Sequence, residues 1–307
     1  MTLISIFDKA LEITKGVSTI LVITLNTIVL TTVLCFFAIF KFLAPTESLR
    51  DRVRKFLAKL AETWISINQS VLSLSRKPKW DIRIPEDLDY RGCYLVSSNH
   101  QSWVDVLVLQ QAFNRHLPFF RFFIKSQLFW VPFLGIAWWA LDMPFMRRDS
   151  KAKLAKNPSL KGRDLENARK ACEKFRNIPV SIMNFTEGTR FSVEKRDKKN
   201  VPYKNLLLPR IGGIGQALYA LSDELDAFMD VTIVYPQMAT TGQAPTFWQL
   251  VSGQIPEIIV RAEKREIPDQ LLGRNFRTDR NFRRDLEAWI TPMWKEKDEL
   301  ITRLKQS

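Results

Sequence analysis

Residues 93–113 read CYLVSSNHQSWVDVLVLQQAF, and the change of period inside this stretch decides the fold. Residues 93–97 form a short, mostly apolar run of the kind that makes a strand buried on both faces. From 103 to 113 the apolar residues recur at helical spacing instead. A strand that passes through a brief polar loop into a helix is half of a β-α-β crossover. The alternation continues downstream, with strand-like runs at 180–185, 231–235 and 258–262 and helical runs at 165–176, 215–221 and 281–290. Residues 81–307 are therefore expected to form one α/β domain, a central largely parallel or mixed sheet flanked by helices. No internal repeat and no long low-complexity segment interrupts it.

Upstream the composition is different. Residues 17–40 carry no charge, and Asn26 is their only strongly polar side chain. As a helix this run is roughly 36 Å long at about 1.5 Å per residue, enough to cross a hydrocarbon core of about 30 Å. It is too long for the apolar part of a cleaved signal peptide, and no small-residue cleavage site follows it. Residues 1–45 are thus expected to be a membrane anchor. Lys41, Arg50, Arg52, Arg54, Lys55 and Lys59 on its C-terminal side outnumber Lys9 and Lys15, which Asp8 and Glu12 offset. That asymmetry puts the rest of the chain on the cytoplasmic face. A helix lying in the interface, or a hairpin entering one leaflet, fits the same residues.

Pro45 ends the first helix. A second, amphipathic helix is expected to run to about Ser75, with Val53, Phe56, Leu57, Leu60, Trp64, Ile67, Val71 and Leu74 on its apolar stripe. Residues 76–81, which include Pro78, read as a linker, so that 46–80 joins anchor to domain.

The 307 residues carry a formal net charge of +14, which implies an anionic partner: an acidic substrate, nucleic acid or a negatively charged bilayer. Three scattered cysteines, Cys35, Cys93 and Cys172, suit neither a disulfide framework nor, with only two histidines, a metal site. The stretch 119–145 is crowded with Phe and Trp but broken by Pro132 and Gly135, too interrupted to span a bilayer. It reads either as a large aromatic core or as a surface or tunnel facing lipid.

The residues that carry chemistry lie in the loop of the opening stretch. His100 follows a strand and precedes a helix, the position where α/β sites form. Asp105 lies roughly 140° away around a continuous helix, so the two meet only if His100 occupies the turn before it. There Asp105 can bind one ring nitrogen, fix the tautomer and leave the other nitrogen as a base. Ser97, Ser98 and Ser102 are near, but no G-x-S-x-G nucleophile elbow occurs, so the base is expected to act on a substrate hydroxyl directly. The second motif, FTEGTR at 185–190, follows another strand. Gly188 permits a tight turn, Arg190 offers a planar fork suited to phosphate, and Glu187 can orient Arg190 or bind a polyol.

An N-H-x-x-x-x-D element followed some eighty residues later by F-x-E-G-T-R resembles the glycerolipid acyltransferase family that includes the 1-acylglycerol-3-phosphate acyltransferases. Lys125 in FIKSQL, Gly135 with the FMRR run at 145–148, and Leu208-Pro209-Arg210 before Gly212 and Gly213 are similar to further blocks of that family. The resemblance covers residues 80–240. It implies that His100 deprotonates the free hydroxyl of a lysophospholipid, which attacks the thioester of acyl-CoA or acyl carrier protein, while Asp105 orients the histidine. It further implies that Arg148, Glu187, Gly188 and Arg190 hold the glycerol-phosphate acceptor, with Lys125 and Thr189 of the same motifs beside them, and that the aromatic region guides an acyl chain. No cofactor or metal is implied; the acyl donor is a co-substrate.

Two positions depart from the family pattern: Thr186 stands where many members have proline, and Arg147 where many have an acidic residue. The long apolar segment and the LLLPR block most resemble longer bacterial inner-membrane members. A basic membrane protein that binds anionic lipid without catalysis, and a thioester or lysolipid hydrolase, are the competing readings. The chain has no recognisable nucleic-acid module.

Overall fold

The structure is a computed structural model that describes residues 3–74, 78–146, 163–175 and 178–306. Two helices open the chain, α1 (Leu3–Leu43) and α2 (Glu47–Leu74), and the break between them falls at Pro45, which cannot continue a helix. They fold back on each other as an antiparallel hairpin. Asn26, the one strongly polar residue of the apolar run, is buried and has its partners on α2: its Nδ2 donates to Asn68 Oδ1 at 2.7 Å and to the Trp64 carbonyl at 3.2 Å. Trp64 Nε1 in turn donates to Thr27 Oγ1 at 3.1 Å. The expected stripe on α2 is only partly the buried face. Leu57 is buried, but Phe56 and Ile67 are exposed, and Ala61, Glu62, Ile65 and Asn68 are buried instead. The reason is that α2 packs on α1 along one side and on the globular domain along another, so no single stripe describes it.

Strand β1 (Lys79–Arg83) follows. The linker expected at 76–81 is therefore corrected: residues 79–81 belong to the sheet, paired in parallel with 257–259, and residues 75–77 lie outside the described ones. The strand is hard to recognise because it is an edge strand of alternating character, with Trp80 and Ile82 packed on the core and Asp81 ion-paired to Arg261.

Next come β2 (Cys93–Ser98), α3 (Asp105–Phe113), β3 (Phe120–Phe122), β4 (Ile124–Lys125), α4 (Leu134–Ala140) and β5 (Phe145–Met146). After them follow α5 (Arg163–Glu173), β6 (Val180–Phe185), α6 (Val193–Lys198), α7 (Gly212–Leu221) and β7 (Ala227–Val234). The short α8 (Met238–Thr241) and α9 (Phe247–Val251) lead to β8 (Glu257–Arg265) and α10 (Arg280–Leu304). The main sheet has the order β1-β8-β7-β2-β6-β3, parallel throughout except between β7 and β8, while β4 and β5 pair separately.

Every residue of β2 and β7 is buried, as expected of strands covered on both faces. Alternate residues serve opposite layers: Tyr94 and Val96 pack with Val108 and Phe113 of α3, whereas Cys93 and Leu95 pack with Leu218 of α7 and Leu286 of α10. Burying each such aliphatic or aromatic side chain contributes roughly 1.5–3 kcal/mol. The last helix runs well past the expected 290, straight through Pro292, because Met293, Trp294 and Ile301 beyond it are buried.

The hairpin is held to the domain over much of the length of α1. Gly16 lies so close to Trp248 that a Cβ there would come within 2.6 Å of the indole ring, Leu34 and Ala38 pack against Ala137 and Leu141, and Lys41 Nζ meets Asp142 Oδ2 at 2.6 Å. Gly135 lets the turn before α4 close, since a Cβ would fall 1.7 Å from the Phe129 carbonyl oxygen. The outer face of α1 remains apolar and exposed, with Leu21, Leu25, Val29, Phe36 and Phe40, and by length and composition the helix could cross a membrane. The aromatic stretch divides between the core and the surface. Phe120 is core, whereas Trp130, 81% exposed, Phe133 and Trp139 face outward beside α1. Between hairpin and domain lies an apolar cavity of about 300 Å³, walled by Leu30, Leu60, Trp64, Phe119, Phe122 and Trp138 among others.

Candidate active site

Because β2 and β6 are parallel neighbours, their C-terminal ends point the same way and the two motif loops are laid side by side. The pairing ends with Ser98 opposite Phe185. Beyond it the loops are stitched together: Thr186 N donates to the Ser98 carbonyl at 3.1 Å, Phe191 N to the His100 carbonyl at 2.6 Å, and Ser97 and Thr186 share a hydroxyl hydrogen bond of 2.6 Å. That bond uses a side chain which proline lacks, and accounts for threonine at this position. On the other flank Asn99 locks the loop to β7, its Nδ2 donating to the Ile233 carbonyl and its Oδ1 accepting from Ile233 N, both at 2.8 Å.

His100 sits in the turn before α3, and Asp105 is the first residue of that helix. The two meet as the spacing requires, with His100 Nδ1 2.8 Å from Asp105 Oδ2. The same oxygen accepts the backbone N–H groups of Gln101 at 2.6 Å and Ser102 at 2.9 Å. Asp105 is fully buried, whereas the histidine side chain keeps 16% exposure and stacks flat on Phe185, centroids 3.9 Å apart. An ionised Asp105 fixes the proton on Nδ1 and leaves Nε2 as the acceptor nitrogen. Such a group can take a proton from a bound hydroxyl.

Glu187 occupies a different place from the one the motif suggested. It is buried, and both carboxylate oxygens are taken by backbone amides: Oε1 accepts from His100 N and Oε2 from Leu207 N, each at 2.8 Å. It therefore ties the histidine loop to the 205–210 segment and does not reach out to a polyol or to Arg190. Burial pushes its carboxyl up to about 8 against the pull of those two amides. Gly188 makes the turn that follows at φ 65°, a conformation in which a side chain is disfavoured. Arg190 is exposed at the rim, its guanidinium 4.7 Å above the exposed Trp103 ring, and Lys195 Nζ braces the loop through Thr189 Oγ1 at 3.1 Å and the Arg190 carbonyl at 2.7 Å.

The structure thus brings His100, Asp105 and Glu187 into one network, with Thr189 and Arg190 on the adjoining loop. Lys125 stands exposed at the end of β4, on the two-stranded piece outside the main sheet. Arg148 and its neighbour Arg147 lie outside the described residues. Sequence reasoning missed Tyr235, and it gave Asn99 and Phe185 a place in the motifs without the contacts they make. Tyr235, just beyond β7, donates to Asp105 Oδ1 at 2.7 Å. The order of strands in the sheet, which brings 233–235 against 99–105, has no signature in the sequence.

The family model described as Acyltransferase matches residues 79–235, just over half of the chain. An uncharacterised acyltransferase of Saccharomyces cerevisiae is 30% identical over 67% of this chain and 57% of its own length. A 2-acyl-1-lysophosphatidylinositol acyltransferase of the same yeast is 27% identical over 67% of the chain and 59% of its own. The mouse 1-acyl-sn-glycerol-3-phosphate acyltransferase epsilon is 23% identical over 66% and 56%. The chain spans a little under three fifths of the length of these relatives. The matched region contains both motif loops and the strands that carry them, and the chain belongs to the acyltransferase family.

Proposed function

We propose that this protein transfers a fatty acyl group from a thioester, acyl-CoA or acyl carrier protein, to the free hydroxyl of a membrane lysophospholipid, with 1-acyl-sn-glycerol-3-phosphate as acceptor and phosphatidic acid as product. The observation that carries the reading is the His100–Asp105 contact, with the remaining ring nitrogen free at the mouth of a strand-end loop. His100 Nε2 takes the hydroxyl proton as the oxygen attacks the thioester carbonyl. The tetrahedral intermediate collapses, the C–S bond breaks, and the thiolate leaves with the proton returned by the imidazolium. Asp105 holds the ring through both stages.

Arg190 and Thr189, on the loop beside His100, are suited to the acceptor phosphate, with Lys125 and Arg148 as further cationic contacts. Glu187 and Gly188 act by shaping that loop. The apolar cavity between hairpin and domain is suited to an acyl chain. The exposed face of α1 and the outward aromatics of the α4 region suit a bilayer, and the cationic start of α2 suits its cytoplasmic surface, which we take to be that of the inner membrane. The contacts that the domain and α2 make with α1 from Gly16 to Lys41 support a hairpin seated in one leaflet with the domain resting on the surface.

The named relatives are described with different acceptors, so the head group is the part to test. Labelled acyl-CoA and acyl carrier protein are offered to membranes containing the protein, with lysophosphatidic acid, lysophosphatidylglycerol, lysophosphatidylinositol or no acceptor. Phosphatidic acid as the main protein-dependent product supports the proposal. Diacyl product with another head group moves the acceptor, and free fatty acid formed equally with and without lysolipid makes the protein a hydrolase.

A further inference from the structure

The His100–Asp105 pair accounts for one of the two oxygens of Asp105. The other, Oδ1, accepts the hydroxyl of Tyr235 at 2.7 Å. Tyr235 is fully buried, enters from a different strand, and is held by its position directly after β7, whose Ile233 is locked to Asn99 by two hydrogen bonds. The carboxylate is thus gripped from both ends. On Oδ2 it meets the imidazole and two backbone amides; on Oδ1 it meets a side chain with one direction of approach.

A carboxylate held through one oxygen can swing about its Cβ–Cγ bond and carry the imidazole with it. One held through both cannot. We propose that Tyr235 is a positioning residue for the transfer reaction, fixing the plane of Asp105 and limiting how strongly that carboxylate holds the imidazolium form of His100. The inference rests on the reading of His100 as the base. Burial and the adjacent Asp105 hold the Tyr235 hydroxyl far above its ordinary range, so it remains a donor at every working pH. The other titratable group that bears on Asp105 is Glu187, tied to the His100 amide and acted on in turn by Lys297.

Removing the hydroxyl has two consequences of different kinds. The freed Oδ1 loses its anchor, so the imidazole spends less time aligned. The carboxylate, with one donor fewer, also attracts the proton on His100 more strongly, and the imidazolium must then be deprotonated at higher pH before the base is available. The test is Tyr235→Phe in the whole 307-residue chain, expressed in membranes alongside His100→Ala, with kcat, KM for acceptor and the pH profile of kcat/KM measured.

The expected result is a fall in kcat of roughly ten-fold, from losing a hydrogen bond to a charged group, KM nearly unchanged, and the acid limb of the profile displaced to higher pH. Wild-type kcat, or a lower kcat with an unmoved acid limb, overturns the proposal, the second outcome marking a packing role only. Tyr235→Leu serves as control, since it forfeits packing as well as the hydroxyl and should show the same displaced limb in whatever activity survives. If His100→Ala retains full activity, the reading of the base fails; if only Tyr235→Phe behaves as wild type, this inference alone fails.

Discussion

Glu187 illustrates how a motif residue can be recognised and its task misjudged. In a Glu-Gly-Thr-Arg loop the carboxylate invites pairing with the nearby arginine, yet the fold turns it inward to accept the His100 and Leu207 amides. What decided this was the parallel register of β2 and β6, a long-range fact. The consequence is testable through pH. Glu187 is lifted from the usual 4.5 to about 8, so the folded protein holds this proton more tightly than the unfolded chain. By linkage its contribution to stability is full below about 4.5 and is lost as pH rises through about 8. Glu187→Gln should flatten that part of the melting-temperature profile. It should also lower activity, because an amide NH₂ set against one backbone N–H leaves that donor unpaired, at a cost of about 1–3 kcal/mol. A profile as steep as that of the wild type would contradict the assignment. By contrast His100 and Asp105 were legible at once, because a turn followed by a helix start fixes their meeting within five residues of chain.

At the scale of elements, strands β2 and β6 and helix α3 were legible because their burial on two faces or one is written in local periodicity. Strand β1 was not: Lys79, Asp81 and Arg83 alternate with Trp80 and Ile82 over only five residues after a proline, and pairing with β8 is what makes them a strand. The C-terminal half of α10 was hidden by Pro292, whose local penalty is overridden by the burial of Trp294 and Ile301. The hairpin poses the opposite case, since Asn26 was conspicuous in sequence and its partner was not. Its bond to Asn68 closes the contact between α1 and α2, so Asn26→Leu leaves the buried Asn68 Oδ1 without this donor. We expect a loss of about 1–3 kcal/mol in stability. Asn26→Leu combined with Asn68→Leu should recover part of it, because an apolar pair of similar shape leaves fewer unpaired groups. Thermal denaturation in detergent of the single and double variants checks this, and a double variant less stable than the sum of the singles would contradict it.

For the whole molecule, the outward faces of α1 and of the α4 region lie beside the same packed seam, so their exposed apolar residues form the surface proposed to meet lipid. Trp130 and Trp139 stand out from it, and changing both to serine should weaken binding to anionic vesicles several-fold without altering the fold of the domain. Sedimentation with vesicles of phosphatidylglycerol and phosphatidylethanolamine measures it; undiminished binding would place the surface elsewhere. The charge of +14 and the apolar run were readable from the sequence, whereas the seating of α1 against the domain needed the tertiary structure. All of these arrangements converge on one nitrogen of one side chain. The most direct test of the account is transfer of a radiolabelled acyl group from acyl-CoA to lysophosphatidic acid by wild type and His100→Ala at equal expression. The account predicts diacyl product from the wild type and a loss of at least roughly a hundred-fold in the variant; equal product from both would remove His100 from the mechanism.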